Sequence, residues 1–174
     1  MISLVYVFWM YVALFGVIGA LRGWVKELMV VFSVVLALAT NHLLHRFVPV
    51  VNSLAPASSE LFWVRTIVLL VLVFFGYQTV VSIQRLAARA ARERLQDTLF
   101  GIFMGAINGY LIAGSVLYYL HYAEYFPKFI QPPTGADMEQ LARMLDWMPP
   151  NLLGEPGIYF ALVVCFIFVI VVFI

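Results

Sequence analysis

The chain has 174 residues, 64% hydrophobic and 11% charged, with a formal net charge of +1. Soluble domains carry roughly 45–50% apolar and about 25% charged residues, so an ordinary solvated surface is excluded and the composition is that of an integral membrane protein of one domain's length. So few charges offer no basic face for nucleic acid, and the lone Cys165 excludes an internal disulfide or a cysteine-based metal site.

The first apolar stretch runs from Leu4 to Leu21. At 1.5 Å per residue its length is about 27 Å, enough for the hydrocarbon core. No basic region precedes it, and Arg22 and Lys26 follow it, so it reads as a retained span despite the small Ile18-Gly19-Ala20 stretch that loosely resembles a signal-peptide cleavage site. Small residues recur four apart near its end: Gly16 with Ala20, and Gly19 with Gly23. The following Arg22-Gly23-Trp24-Val25-Lys26-Glu27 has the cations, acid and tryptophan of a membrane–water interface. Gly23 frees the backbone to reverse there.

A second span is expected from Leu28 to Leu44, containing Ser33, Thr40 and Asn41, with His42, His45 and Arg46 at its exit. Residues 47–60, rich in proline and serine, form an irregular connection. A third span, Phe62 to Ile83, starts with Trp63 and Arg65 as interfacial anchors. It passes into a stretch where Arg85, Arg89, Arg92 and Gln96 share one helical face and Ile83, Leu86, Ala87 and Ala90 another. This pattern predicts a short amphipathic helix lying in the interface. Its Arg85, Arg89, Arg92 and Arg94 either fix topology or bind anionic lipid, each cation contributing up to about 1 kcal/mol near a charged surface.

The fourth span, Thr98 to Leu120, follows Asp97, which is placed to cap its N-terminus. Within it Gly101, Gly105, Gly109 and Ala113 recur every fourth residue, with Asn108 beside them. Residues i and i+4 share a helix face, so these positions form a groove almost free of side chains. A glycine inside a helix costs roughly 1 kcal/mol against alanine. In a bilayer the offsetting gain is the close approach of another helix. Gly16, Gly19, Ala20 and Gly23 are the candidate mates within the chain; a partner subunit is the other occupant such a groove would suit.

Residues 121–157 are the one sizeable polar segment. A helix is expected from about Ala136 to Trp147, started by Thr134 or Asp137 and stopped by Pro149-Pro150, with an apolar stripe of Met138, Leu141, Leu145 and Met148. Acids outnumber cations here, and they read as a solvated face. The final run, Ile158 to Ile174, is at the short limit for a span. The organisation is thus a four-span membrane domain over 1–120, an acidic segment with a short helix over 121–157, and a C-terminal transmembrane helix over 158–174. The fold class is an all-α integral membrane protein, a bundle of four to five transmembrane helices with an interfacial amphipathic helix. Arg22, Lys26, Arg85, Arg89, Arg92 and Arg94 fall on one side, against Arg46, Arg65, Lys128 and Arg143 on the other. The positive-inside rule makes the first side cytoplasmic, with the N-terminus outside and the C-terminus inside.

Chemistry is sparse. His42, His45 and His121 lie near one interface, where a structural role competes with ligation of pigment, haem or metal; no carboxylate at ligand spacing joins them, and no cofactor is expected. Every charge falls at a span end or in a connection, which disfavours an ion path. Ser33, Gln78, Thr79, Asn108 and Ser115 read as helix–helix hydrogen-bonding groups. No nucleophile elbow, P-loop, HExxH or carboxylate pair is present, so no enzyme is expected.

Two stretches carry a resemblance. Arg22-Gly23-Trp24-Val25-Lys26-Glu27 resembles the R-G-[FW]-x-x-E pattern of the colicin V production protein (CvpA) family, and residues 97–109, from Asp97 through Gly101 and Gly105 to Gly109, resemble its D-R-x-x-G-x-x-x-G-x-x-x-G stretch. Two hydrophobic segments separate the motifs, as in the family, and the likeness covers about residues 4–120. The chain has Thr98 after the aspartate and Asn108 before the last glycine, where the family often has arginine. Membership implies an inner-membrane protein tied to colicin secretion and envelope homeostasis, without a settled molecular activity. The leading expectation is a scaffold or adaptor acting by helix packing, with the lipid bilayer and other membrane subunits or its own copies as partners. Its 15 Phe, 9 Tyr and 4 Trp also suit an accessory subunit of a respiratory or photosynthetic complex; an oligomeric channel is the third reading.

Overall fold

The computed structural model describes residues 3–78, 94–126, 130 and 132–173. Among them the regular structure is entirely helical: α1 (Leu4–Arg22), α2 (Trp24–Phe47), α3 (Pro49–Asn52), α4 (Ser59–Gln78), α5 (Arg94–Tyr122), α6 (Ala136–Leu145), α7 (Pro149–Leu152) and α8 (Gly157–Phe173). Helices α1, α2, α4 and α5 are long and apolar enough to cross a membrane. The α6–α7 stretch and α8 together form a fifth such unit, bent by 54°. This is an all-α membrane protein.

The helices break where the sequence provides breakers. Gly23, at φ 85°, occupies backbone space that residues with a Cβ avoid and separates α1 from α2. Val48-Pro49 ends α2, and Pro49 then sits in the first turn of α3, where its missing N–H does no harm. The surface is apolar: Tyr6, Trp9 and Val17 on α1, Phe74 on α4, Phe103 on α5 and Phe160 on α8 are all exposed. A soluble monomer rarely exposes apolar patches beyond a few hundred Å². A skin of this kind around several helices has lipid as its solvent.

Helix α5 is the axis of the bundle, with α1, α2 and α4 packed against it. The α1–α5 contact is a backbone contact. A Cβ on Gly19 would lie 2.8 Å from the Gly105 Cα, and one on Gly105 would lie 2.9 Å from the Gly19 Cα. One on Gly109 would lie 2.8 Å from the Val12 Cα. Real Cβ atoms do not approach backbone this closely, so only glycine permits the spacing. Helices α2 and α4 use a second small pair, Gly76 against Ser33, whose hydroxyl turns back to the Met29 carbonyl. Thr40 and Ser115 likewise donate to carbonyls four residues earlier in their own helices, Leu36 and Leu111. Ser33 and Ser115 are thus not the helix–helix bridges expected from the sequence. That role falls to Asn41, whose Nδ2 donates to the Arg65 carbonyl at 3.0 Å and to the Tyr119 hydroxyl at 3.4 Å.

Helix α8 lies antiparallel along α2. At its entry Glu155 meets His42 at 2.6 Å and Arg46 at 2.9 Å, and further on the rings of Phe166 and Phe32 sit edge to face at 5.4 Å. Hydrogen bonds from Tyr159 and His42 and the nearby cationic groups hold the Glu155 carboxyl below its usual range. The folded state therefore keeps this contact at pH values above the ordinary carboxylate pKa and loses it as pH falls through the lowered value.

The polar segment is more integrated than its composition suggests. Helix α6 ends at Leu145 rather than Trp147, and its N-cap is Gly135, with no side-chain cap from Thr134 or Asp137. Pro149 does not merely stop a helix; it starts α7. Leu141, Met148 and Pro149 are fully buried. The segment enters the bundle at Gly114 on α5, where an added Cβ would lie 2.8 Å from the Met148 Sδ and 2.9 Å from the Pro149 Cδ. Gly114 stands eight residues inside the end of α5, a depth of roughly 12 Å along the axis. The Tyr110 hydroxyl donates to the Trp147 carbonyl there. Of the expected interfacial helix, Arg85, Arg89 and Arg92 lie outside the described residues, as does Thr79, while Arg94 opens α5.

Two outcomes follow from this packing. Gly105→Ala should destabilise the detergent-solubilised protein by about 1–3 kcal/mol, the usual range for overpacking, and Gly105→Leu by more. Gly157→Ala should be nearly silent, because its Cβ would meet only the Leu152 carbonyl at 3.8 Å. Thermal unfolding of the variants in one detergent checks the order, and equal melting points for Gly105→Ala and the parent sink the close-contact account. Glu155→Gln should remove the acid-side loss of α8 docking, read as fluorescence of a probe on Cys165 during titration from pH 7 to pH 3; an unchanged titration refutes it.

Candidate functional site

The side chains of the two motif stretches converge at the end of the bundle where α1 turns into α2. Arg22 is the last residue of α1, Gly23 the turn and Trp24 the first residue of α2. The first N–H groups of a helix have no partner within it, and Gly23 has no side chain to supply one. Asp97 of α5 does so: its Oδ1 accepts from the Trp24 N–H at 3.3 Å. A Cβ on Gly23 would come within 2.7 Å of the Asp97 Oδ2, so the glycine also makes room for this carboxylate. Asp97 was expected to cap its own span. Instead α5 begins earlier, at Arg94, which places Asp97 in the first turn, and its charge complements the positive end of α2.

One turn into α2 lies Glu27, which is completely buried. An isolated buried carboxylate is strongly disfavoured, and here it is matched at both oxygens. Arg22 Nη1 donates to Oε1 at 2.7 Å, and Asn108 Nδ2 donates to Oε2 at 2.8 Å and to the Glu27 carbonyl at 2.9 Å. Arg22 is held in turn by α4. Its guanidinium lies 4.2 Å from the centre of the Tyr77 ring, and Nη2 donates to the Tyr77 carbonyl at 3.3 Å. Each of the four long helices α1, α2, α4 and α5 thus contributes one residue: Arg22, Glu27, Tyr77 and Asn108. Both neighbours of the Asn108 amide are acceptors, which fixes its nitrogen toward Glu27. Its Oδ1 and the Tyr77 hydroxyl are buried without a hydrogen-bond partner among the described residues.

Glu27 lies in the first turn of α2, at a span end as expected, but the helix begins at Trp24 rather than Leu28 and buries the carboxylate inside the bundle. Tyr77 lies in neither motif stretch, and no local pattern marked it. The spacing of Arg22 and Glu27 across a glycine was the available signal for their pairing.

The expected packing residues divide into two groups. Gly19, Gly101, Gly105 and Gly109 meet backbone, and Gly16 faces the Ile102 carbonyl and Ala106, a residue the four-residue spacing does not include. Ala20 is partly buried, and Ala113 lines an apolar cavity beside Phe8 and Tyr11. The histidines do not gather. His42 bonds to Glu155, His121 Nδ1 lies 2.6 Å from the Tyr125 hydroxyl, and His45 lines a cavity beside His42. Among the described residues no group of three His, Cys, Asp or Glu side chains is placed to hold a metal.

Chemically the cluster is a closed clasp. The Glu27 carboxylate is bonded at both oxygens, by Arg22 and by Asn108. Removing one partner of a buried ion pair costs about 3–5 kcal/mol; Arg22→Ala belongs at the lower end, because its side chain retains 20% exposure. Glu27→Gln should also destabilise. In a cycle built on Arg22→Met and Glu27→Met, the double variant should lose less than those two single variants combined. A double-mutant cycle by denaturant unfolding in mixed micelles measures this, and additive losses contradict the clasp.

The family model described as Colicin V production protein matches residues 5–131, well over half of the chain. Neither curated proteins nor solved structures give a match. The clasp residues and the α1–α5 glycines lie inside the matched stretch. The chain therefore belongs to the Colicin V production protein family.

Proposed function

We propose that the protein is a non-catalytic inner-membrane scaffold or adaptor, serving colicin secretion and envelope homeostasis by holding partner membrane proteins against its helices. One observation carries the reading: the motif side chains Arg22, Glu27, Asp97 and Asn108 and the α1–α5 glycines are all engaged in contacts between the protein's own helices. What the motifs build is a rigid bundle rather than a reactive centre. Among the described residues the apolar flanks of α1, α4, α5 and α8 and the folded polar segment are open to other molecules. In this reading the Arg22–Asp97 end is cytoplasmic, by the excess of cations there, and the α6–α7 segment faces out.

The full chain, purified from its native membrane in mild detergent and chemically cross-linked beforehand, should bring defined membrane proteins with it in stable ratio. The same chain alone in proteoliposomes should show neither solute flux nor turnover. Flux or turnover by the purified chain overturns the proposal.

A further inference from the structure

A second polar cavity lies at the opposite end of the bundle from the clasp. It has a volume of about 190 Å³ and is bounded by α2, α4 and α5 and by the turn between α7 and α8. That is more than ten times the space one water needs, roughly 10–15 Å³ on the same measure. Its polar wall is Asn41, His42 and His45 from α2, Arg65 from α4, and Tyr118 and Tyr119 from α5. No carboxylate lines it among the described residues.

Arg65 is the telling residue. It is partly buried, and its guanidinium lies 5.7 Å from the centre of the Tyr119 ring, within the range of a cation–π contact. A contact of this kind takes up none of the five N–H donors as a hydrogen bond. Among the described residues no carboxylate pairs with Arg65 and no acceptor takes its N–H groups. This contrasts with Arg22, whose burial is matched by Glu27. His45 likewise has no hydrogen-bond partner among the described residues, whereas Glu155, bonded to His42 beside the cavity, is engaged by Arg46 and Tyr159 as well. The Tyr119 hydroxyl accepts from Asn41 and keeps its own proton to donate. A fixed fork of donors, a free imidazole and a tyrosine hydroxyl around a space without carboxylates is complementary to a tetrahedral oxyanion.

We infer that this cavity binds a phosphate group through Arg65, with His45 and Tyr119 as further donors. Two sources share that chemistry: free inorganic phosphate and the phosphodiester of an anionic phospholipid whose headgroup enters from the membrane surface.

The test uses the full chain, delipidated in dodecyl maltoside. Inorganic phosphate is titrated by calorimetry, and phosphatidylglycerol against phosphatidylcholine by native mass spectrometry. One saturable site is expected for phosphate or for phosphatidylglycerol. Saturation by inorganic phosphate identifies a free-anion site; saturation by phosphatidylglycerol alone identifies a headgroup site. Arg65→Gln should weaken binding at least tenfold and His45→Ala severalfold, each with an unchanged melting point in the absence of the probe. Arg65→Lys should recover part of the affinity, and Arg143→Gln, on exposed α6, should leave it unaltered. The inference is overturned if neither probe saturates the parent protein. It is equally overturned if folded Arg65→Gln and His45→Ala bind as the parent does.

Discussion

The bundle depends on one close approach, the passage of the α1 backbone across the α5 backbone at Gly19, Gly101 and Gly105. In a bilayer the hydrophobic effect does not drive helices together, because lipid tails are as apolar as leucine; contact must come from packing and hydrogen bonding. Two helices in backbone contact gain dispersion over their whole crossing. That gain requires missing side chains where the backbones meet: α5 supplies Gly101, Gly105 and Gly109, and α1 supplies Gly19, with the Val12 backbone and the Phe15 Cβ filling the notch at Gly109. Helix α2 packs on α5 in turn, and α4 and α8 pack chiefly on α2, so the rest of the bundle is tied to this crossing through α2.

The buried pair Arg22–Glu27 has a different part. Ion pairs removed from water contribute little net stability over apolar residues of similar size, but they tolerate almost no displacement. Glu27 is satisfied only when α1 ends at Arg22, α2 starts at Trp24, and α5 presents Asn108 at the same level. A slip of one residue in any of these helices rotates its side chain by about 100° and leaves a bare carboxylate in the core. Glycine contact alone is permissive of sliding, since every fourth residue offers an equivalent notch. The polar clasp removes that freedom. Asp97 reinforces it by tying the first turn of α5 to the first turn of α2.

What could be read from the sequence was whatever is written in local spacing. The four apolar spans, the glycine rows and the break at Gly23 all follow from composition and period, and the ends of α1 and α2 and the end of α5 appear within a few residues of those expected, while the expected end of the third span, Ile83, lies outside the described residues. Contacts between residues far apart in the chain were not readable. Glu155 reaches His42 across 113 positions and Asp97 reaches Trp24 across 73, and no periodicity encodes such partners. The seat of the polar segment in the bundle was unreadable for a related reason. Its acids describe its exposed side, but a single glycine on another helix, Gly114, decides that Met148 and Pro149 enter the bundle. Gly114 falls outside the four-residue row, so nothing in its neighbourhood marked it.

The residue type at Asn108 has a physical reading in this arrangement. An arginine at this position would deliver a second guanidinium to a carboxylate that Arg22 already pairs. Two cations on one buried Glu27 would leave a net positive charge in the core, with a desolvation cost of several kcal/mol. Asparagine supplies the same two donors without the charge, one to Oε2 and one to the Glu27 carbonyl. Asn108 therefore links α5 to α2 while keeping the cluster neutral, and Arg22, stacked on Tyr77, is sufficient as its one cation.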